Sequence, residues 1–147
     1  MENQMLQAGI RIINRYNSFA NKARNYGTDV TLYPSEIHLI DAIGLGGNMT
    51  TTKLASTLGI TKGGISQTVT KLMNKGLVTK SEGDGINEVY ISLSDKGRTA
   101  YLGHKKLHES LLIKMNELTD QMSDETQKAI CDMIRMIDDE LSRLELE

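Results

Sequence analysis

Between Asp41 and Glu82 the chain carries five lysines (Lys53, Lys62, Lys71, Lys75 and Lys80) and no carboxylate, so this window holds a charge of +5 in a protein whose net charge is −2. A surface that meets duplex phosphates needs that exclusion, because each carboxylate on it repels the polyanion. The acid placed elsewhere limits indiscriminate sticking. Within the window, Lys62, Gly63, Ser66, Gln67, Thr70, Lys71 and Asn74 lie on the arc of a helix opposite Ile65, Val69 and Leu72, and the capping Thr61 and Gly64 join them as DNA-binding candidates. Gln67 is the base reader its chemistry favours, since an amide pairs bidentately with adenine; Ser66 and Thr70 suit bases or phosphates, and Lys62 and Lys71 suit phosphates. Gly63 and Gly64 cost helix propensity. They allow backbone N–H groups at a helix N-terminus to approach a phosphate, although tight packing on the preceding helix explains Gly64 equally well.

Other chemistry is sparse. The chain has no G-x-S-x-G, no H-E-x-x-H and no glycine-rich phosphate loop, and with three histidines it lacks a credible acid-base or nucleophilic constellation, so catalysis is not expected. Cys131 sits beside Ile130 and Ile134 with Asp132 next to it, which opposes thiolate formation and points to packing.

The elements that must position these residues are legible from their punctuation. Thr50 or Thr51 caps a short helix with Leu54, Ala55 and Leu58 on one face, and Gly59 ends it. Ile60 plugs the turn, Thr61 caps a second helix whose buried stripe is Ile65, Val69, Leu72 and Met73, and Gly76 stops it. This is a helix-turn-helix. Leu77–Lys80 and Glu88–Leu93 alternate around Gly83-Asp84-Gly85, which predicts a hairpin, and Met49 supplies a minimal third strand. The expected fold is mainly α with a small β wing, a winged helix-turn-helix flanked by N- and C-terminal dimerisation helices.

Pro34-Ser35-Glu36-Ile37-His38, Leu54-Ala55, Gly59-Ile60-Thr61-Lys62-Gly63-Gly64-Ile65-Ser66-Gln67, Lys75-Gly76-Leu77-Val78 and Leu93-Ser94-Asp95-Lys96-Gly97 resemble the MarR family of transcriptional regulators over nearly the whole chain. The resemblance implies a dimeric winged-helix repressor that binds a pseudo-palindromic duplex operator and is released by a small effector. It implies one domain over 1–147, with 32–100 as the DNA-binding region and 1–30 and 101–147 as dimerisation helices. The wing departs from the family pattern. Asp84 is followed by Gly85, Ile86 and Asn87 rather than by arginines, which leaves Lys80 and Asn87 to make backbone-type contacts.

His104 and His108 are i, i+4 on the helix after the wing, and His38 lies in the helix after Pro34. In the zinc-responsive branch of that family, ligands come from these two helices, so His38, His104 and His108 form a candidate metal site with Glu36, Asp41, Glu109 or water as the fourth group. The other effector reading is an organic ligand against Tyr16, Tyr26, Tyr33, Tyr101 and methionines. Peroxide sensors in the family place their thiol near the N-terminal helix, unlike Cys131.

Leu6, Ile10, Ile13, Tyr16 or Asn17, and Ala20 recur at helical spacing near the N-terminus, as do Ile130, Ile134, Ile137, Leu141 and Leu144 near the C-terminus. Ser94 and Ser123, each before acid, are caps for the two last helices. Apolar stripes of this kind need cover, and a second copy of the chain is the natural source. At 147 residues, with no Trp, one Phe and one Pro, the chain suits a helical body filled by Leu, Ile and Met. The N-terminus MENQMLQ lacks a secretory pattern and no long apolar run occurs, so a cytoplasmic protein is expected.

Overall fold

The computed structural model describes residues 2–83, 85 and 88–144. The chain divides into two compact units, Met1–Lys106 and Leu107–Glu147.

In the first unit, α1 (Glu2–Ala20) leads through a loop to α2 (Pro34–Gly46), β1 (Met49–Thr50), α3 (Thr51–Leu58), α4 (Lys62–Asn74), β2 (Val78–Glu82), β3 (Val89–Leu93) and the start of α5 (Asp95–Thr119). The strands form an antiparallel sheet in the order β1-β3-β2, with Met49 opposite Ile91 and Lys80 opposite Ile91 on its other side. The core beneath the sheet is apolar and closed, with Ile37, Ile40, Leu54, Ile65, Leu72 and Ile91 all at 1% exposure or less. This is a winged helix-turn-helix.

Local chemistry sets the boundaries. Thr50 Oγ1 accepts from Lys53 N at 3.3 Å to begin α3, and Gly59 closes it in the left-handed region at φ 64°, where a β-carbon is costly. Gly76 does the same after α4 at φ 74°. Ser94 Oγ accepts from Gly97 N at 3.0 Å to open α5 and donates to Gly76 O at 2.7 Å. Gly97 is required because a β-carbon there collides with the Leu77 carbonyl oxygen. The Ser-x-x-Gly pair therefore joins the end of the helix-turn-helix to the start of α5.

Three expectations shift. The first hairpin strand begins at Val78 rather than Leu77, because Leu77 N bonds to Leu72 O at 2.9 Å and its side chain fills the core as the last piece of the α4 exit. Met73 is exposed, lying one position round from the Ile65, Val69 and Leu72 stripe. Ile60 is exposed too, its Cγ2 methyl lying beside the position a β-carbon on Gly64 would take, so it covers the turn rather than plugging it.

The second unit contains the outer part of α5 and α6 (Asp124–Leu144). Ser123 Oγ accepts from Thr126 N at 3.3 Å, and Gln127 Nε2 donates to Thr119 O at 2.9 Å across the turn. No described residue of α6 is buried. Ile134, Ile137, Leu141 and Leu144 stand in solvent in the single chain, and so do Leu6, Ile10, Ile13 and Tyr16 of α1. Cys131 is likewise exposed rather than packed. No helix among the described residues is long and apolar enough to cross a membrane.

Candidate nucleic-acid interface

α4 is held by its buried side and offers its other side to solvent. Thr61, extended at φ −64° and ψ 150°, accepts from Gly64 N through Oγ1 at 3.2 Å and starts the helix. Ile65, Val69 and Leu72 are buried, whereas Thr61, Lys62, Gly63, Ser66, Gln67, Thr70 and Lys71 are exposed on the same short helix. The two glycines separate. Gly63 has open space about it, while a β-carbon on Gly64 would meet Ile60 Cγ2 at 2.9 Å, and its N–H is already bound to Thr61. Packing therefore explains Gly64, and its N–H is not an open phosphate donor. Thr70 Oγ1 donates to Ser66 O at 2.9 Å, so its hydroxyl meets an incoming group as an acceptor. Ser66 and Gln67 carry no such tie to their own helix in the hydrogen bonds formed among the described residues.

One lysine of the acid-free window is not available to phosphates. Lys75, the C-cap of α4, places Nζ 2.7 and 2.8 Å from the two carboxylate oxygens of Glu36 and 2.9 Å from Thr31 O. Glu36 is buried, and its Oε2 also accepts from Tyr33 N at 2.8 Å, which begins α2 with Pro34 in its first turn. The sequence gives no sign of this pair. An acid at the third position of a helix is visible in it, but nothing local points across 39 residues to its partner.

On the wing, Lys80 is exposed in the middle of β2. Asn87 lies outside the described residues, with Asp84 and Ile86. Glu88 Oε1 accepts from Tyr90 OH at 3.0 Å, which places a carboxylate on the hairpin. Lys80 and Glu88 both line a shallow groove of about 660 Å³ with Thr50, Thr51, Thr52, Gly85 and Val89.

The histidines divide between the two units. His104 is buried at 6% exposure, its Nδ1 lies 3.3 Å from Asp41 Oδ1, and its ring meets Tyr26 edge-on at 5.5 Å and His38 at 6.3 Å between centroids. His38 is exposed. His108 belongs to the second unit. Glu36 is committed to Lys75, and among the described residues no group of three or more His, Cys, Asp or Glu side chains could hold a metal ion.

Tyr26 packs on His104, Tyr16 and Tyr33 are exposed, and Tyr101 lines a cleft of about 410 Å³ with Ile43, Leu93 and Arg98. Tyr101 also explains Gly44, since a β-carbon there would run into its ring. Nearby, the Lys96 ammonium donates to Asp29 at 2.6 Å and holds that carboxyl below its usual range.

The sequence model of the MarR family matches residues 31–85, the span from the α2 entry to the wing. The chain is 29% identical over 114 residues to the HTH-type transcriptional regulator PchR of Bacillus subtilis strain 168, an alignment covering 77% of this chain and 66% of that protein. The match thus falls just short of two thirds of the relative's length. The fold is similar to a zinc-responsive MarR family member, Lactococcus lactis ZitR, with a TM-score of 0.78 at 22% identity, covering 95% of this chain and 98% of the other. It is also similar to Streptococcus pneumoniae FabT in complex with DNA, with a TM-score of 0.72 at 21% identity over 98% and 99% of the two chains.

Proposed function

We propose, on the premise that this chain belongs to the MarR family, that it is a homodimeric, sequence-specific double-stranded DNA-binding repressor rather than an enzyme. A small effector modulates it, and it works in the cytoplasm. One observation carries the reading. The exposed face of α4 from Thr61 to Lys71 is free of acid and sets a glutamine amide among hydroxyls and lysines, while Ile65, Val69 and Leu72 opposite anchor it to the core. A face so composed matches a major groove, where phosphates flank readable base edges.

The stripes left in solvent support dimerisation. Leu6 is 64% and Ile134 58% exposed, and runs of apolar side chains of this length signal an interface. A second copy of the chain offers the same stripes, and twofold pairing presents two α4 helices to half-sites about 34 Å apart. The effector acts by favouring a spacing of those helices that no longer fits successive grooves. The cleft at Tyr101, with apolar walls and the Arg98 guanidinium, is a suitable seat for an organic effector.

Selection of bound sequences from a pool of randomised duplexes, followed by salt titration of the enriched site, tests the reading. The expected product is an inverted repeat with half-sites about 10 bp apart, bound with a steep negative salt slope. Failure to enrich any sequence in dilute buffer sinks it.

A further inference from the structure

We infer that the Glu36–Lys75 ion pair is a positioning device that sets the roll of the recognition helix α4, and with it the discrimination between operator and other DNA. This rests on the operator-binding reading above. The pair closes three segments on one ammonium: the N-terminus of α2 through Glu36, the preceding loop through Thr31 O, and the C-cap of α4, which Lys75 itself occupies. Its carboxylate is almost fully buried at 4% side-chain exposure, with the lysine at 27%.

The other directional tie at the α4 exit, Ser94 Oγ to Gly76 O, runs to α5, and what α4 buries against the rest of the core is apolar. Ile65, Val69 and Leu72 fill the core but carry no directional bond, and packing by ridges and grooves leaves helix crossing angles a scatter of about 15–20°. On a helix whose side chains reach roughly 5–6 Å from the axis, a roll of about 20° moves a side-chain tip by roughly 2 Å. That displacement breaks a hydrogen bond to a base edge, whose useful range is a few tenths of an ångström about 2.9 Å. It hardly alters a lysine's attraction to phosphates. Loss of the directional tie therefore strips specificity while sparing general affinity. Buried ion pairs have their best-attested use in fixing one arrangement among several, and this one is placed where arrangement matters. It also withdraws one cation of the acid-free window from the phosphates, which lowers sequence-blind attraction.

The test compares full-length Glu36→Gln, Lys75→Met, Lys75→Arg and the Glu36→Gln/Lys75→Met double variant on the selected operator and on a random duplex of equal length. Glu36→Gln keeps an acceptor for Tyr33 N, so α2 retains its first turn. The expected result is a fall of about 10-fold or more in the operator-to-random ratio for each of the two single replacements, the worth of one bidentate base contact. The double variant should fall no further, because both changes remove the same tie. Lys75→Arg, which keeps a charged partner for Glu36 in a different donor geometry, should fall less than Lys75→Met. Amide exchange in the free protein should quicken at Leu72–Gly76 in Glu36→Gln and not in α3. An unchanged ratio in the folded variants, or unchanged exchange at the end of α4, overturns the inference. So does a parallel loss of operator and random binding, which would mark the pair as a general structural support. A wild-type chain without sequence preference removes the operator reading and this inference together, whereas a discriminating wild type with indifferent variants removes this inference alone.

Discussion

The recognition helix and the wing lie side by side in the first unit, and they are built on opposite terms. From Lys62 to Asn74 the helix has no acid, two lysines and three buried anchors. The segment from Val78 to Leu93 carries in its sequence one lysine, Lys80, beside Glu82, Asp84 and Glu88, and among its described residues Val78 and Ile91 are the buried ones. A firmly anchored, carboxylate-free surface can hold side chains at hydrogen-bond tolerance to base edges. A lightly anchored surface bearing net acid cannot gain from the focused potential of a narrow minor groove. On the DNA-binding reading proposed above, the contrast favours α4 over the wing for contacts to bases.

The largest test of this contrast is of anchoring. Leu72→Ala should cost about 2–5 kcal/mol in chemical denaturation, because it opens a cavity beneath α4 in a site with no exposure. Val89→Ala, at a wing position 39% exposed, should stay within about 0.5 kcal/mol. Comparable losses from the two would erase the distinction in anchoring.

Next in size is the division of labour on the DNA. Gln67→Ala should relax sequence preference by about 1–3 kcal/mol while leaving random-duplex binding nearly intact. Lys71→Ala should weaken binding to every sequence and lower the salt slope by about 1 per contacted phosphate. Lys80→Ala on the wing should show less than half the Lys71 effect in the same titration. If Lys80 proves the equal of Lys71, the wing is a full partner in binding despite its acids.

Much of this arrangement is legible in the sequence where the determinants are local. Thr50, Thr61, Ser94 and Ser123 cap the helices their positions announce, and Gly59 and Gly76 end them, because each acts within three or four residues. The exposed arc of α4 follows from helical periodicity alone. What periodicity could not supply was long-range pairing. Lys75 counts as a phosphate-facing cation in any tally of charge along the chain, and only folding brings the buried Glu36 to it. Met73 departs from expectation because a short helix buries a narrower stripe than its apolar residues suggest, and Ile60 because it sits in the turn outside either helix. The histidines share the helices expected of them, but the commitment of Glu36 to Lys75 and of Asp41 to His104 depends on tertiary contacts.

The smallest expected effect is the most pointed, because it asks the wing to improve. Glu88 holds its carboxylate on the hairpin by accepting from Tyr90 OH, and glutamine at this position keeps an acceptor oxygen for that bond while removing the charge. A unit charge about one Debye length from the phosphates, close to 10 Å at 0.1 M salt, repels each of them by a few tenths of a kcal/mol in water. Glu88→Gln should therefore tighten operator binding by roughly 2-fold in dilute buffer, with the gain fading as salt is raised, and with the operator-to-random ratio unmoved. A change in that ratio would show that the wing reads sequence, and a gain that survives high salt would show a direct contact in place of screened repulsion. Either result would move part of the recognition from α4 to the hairpin.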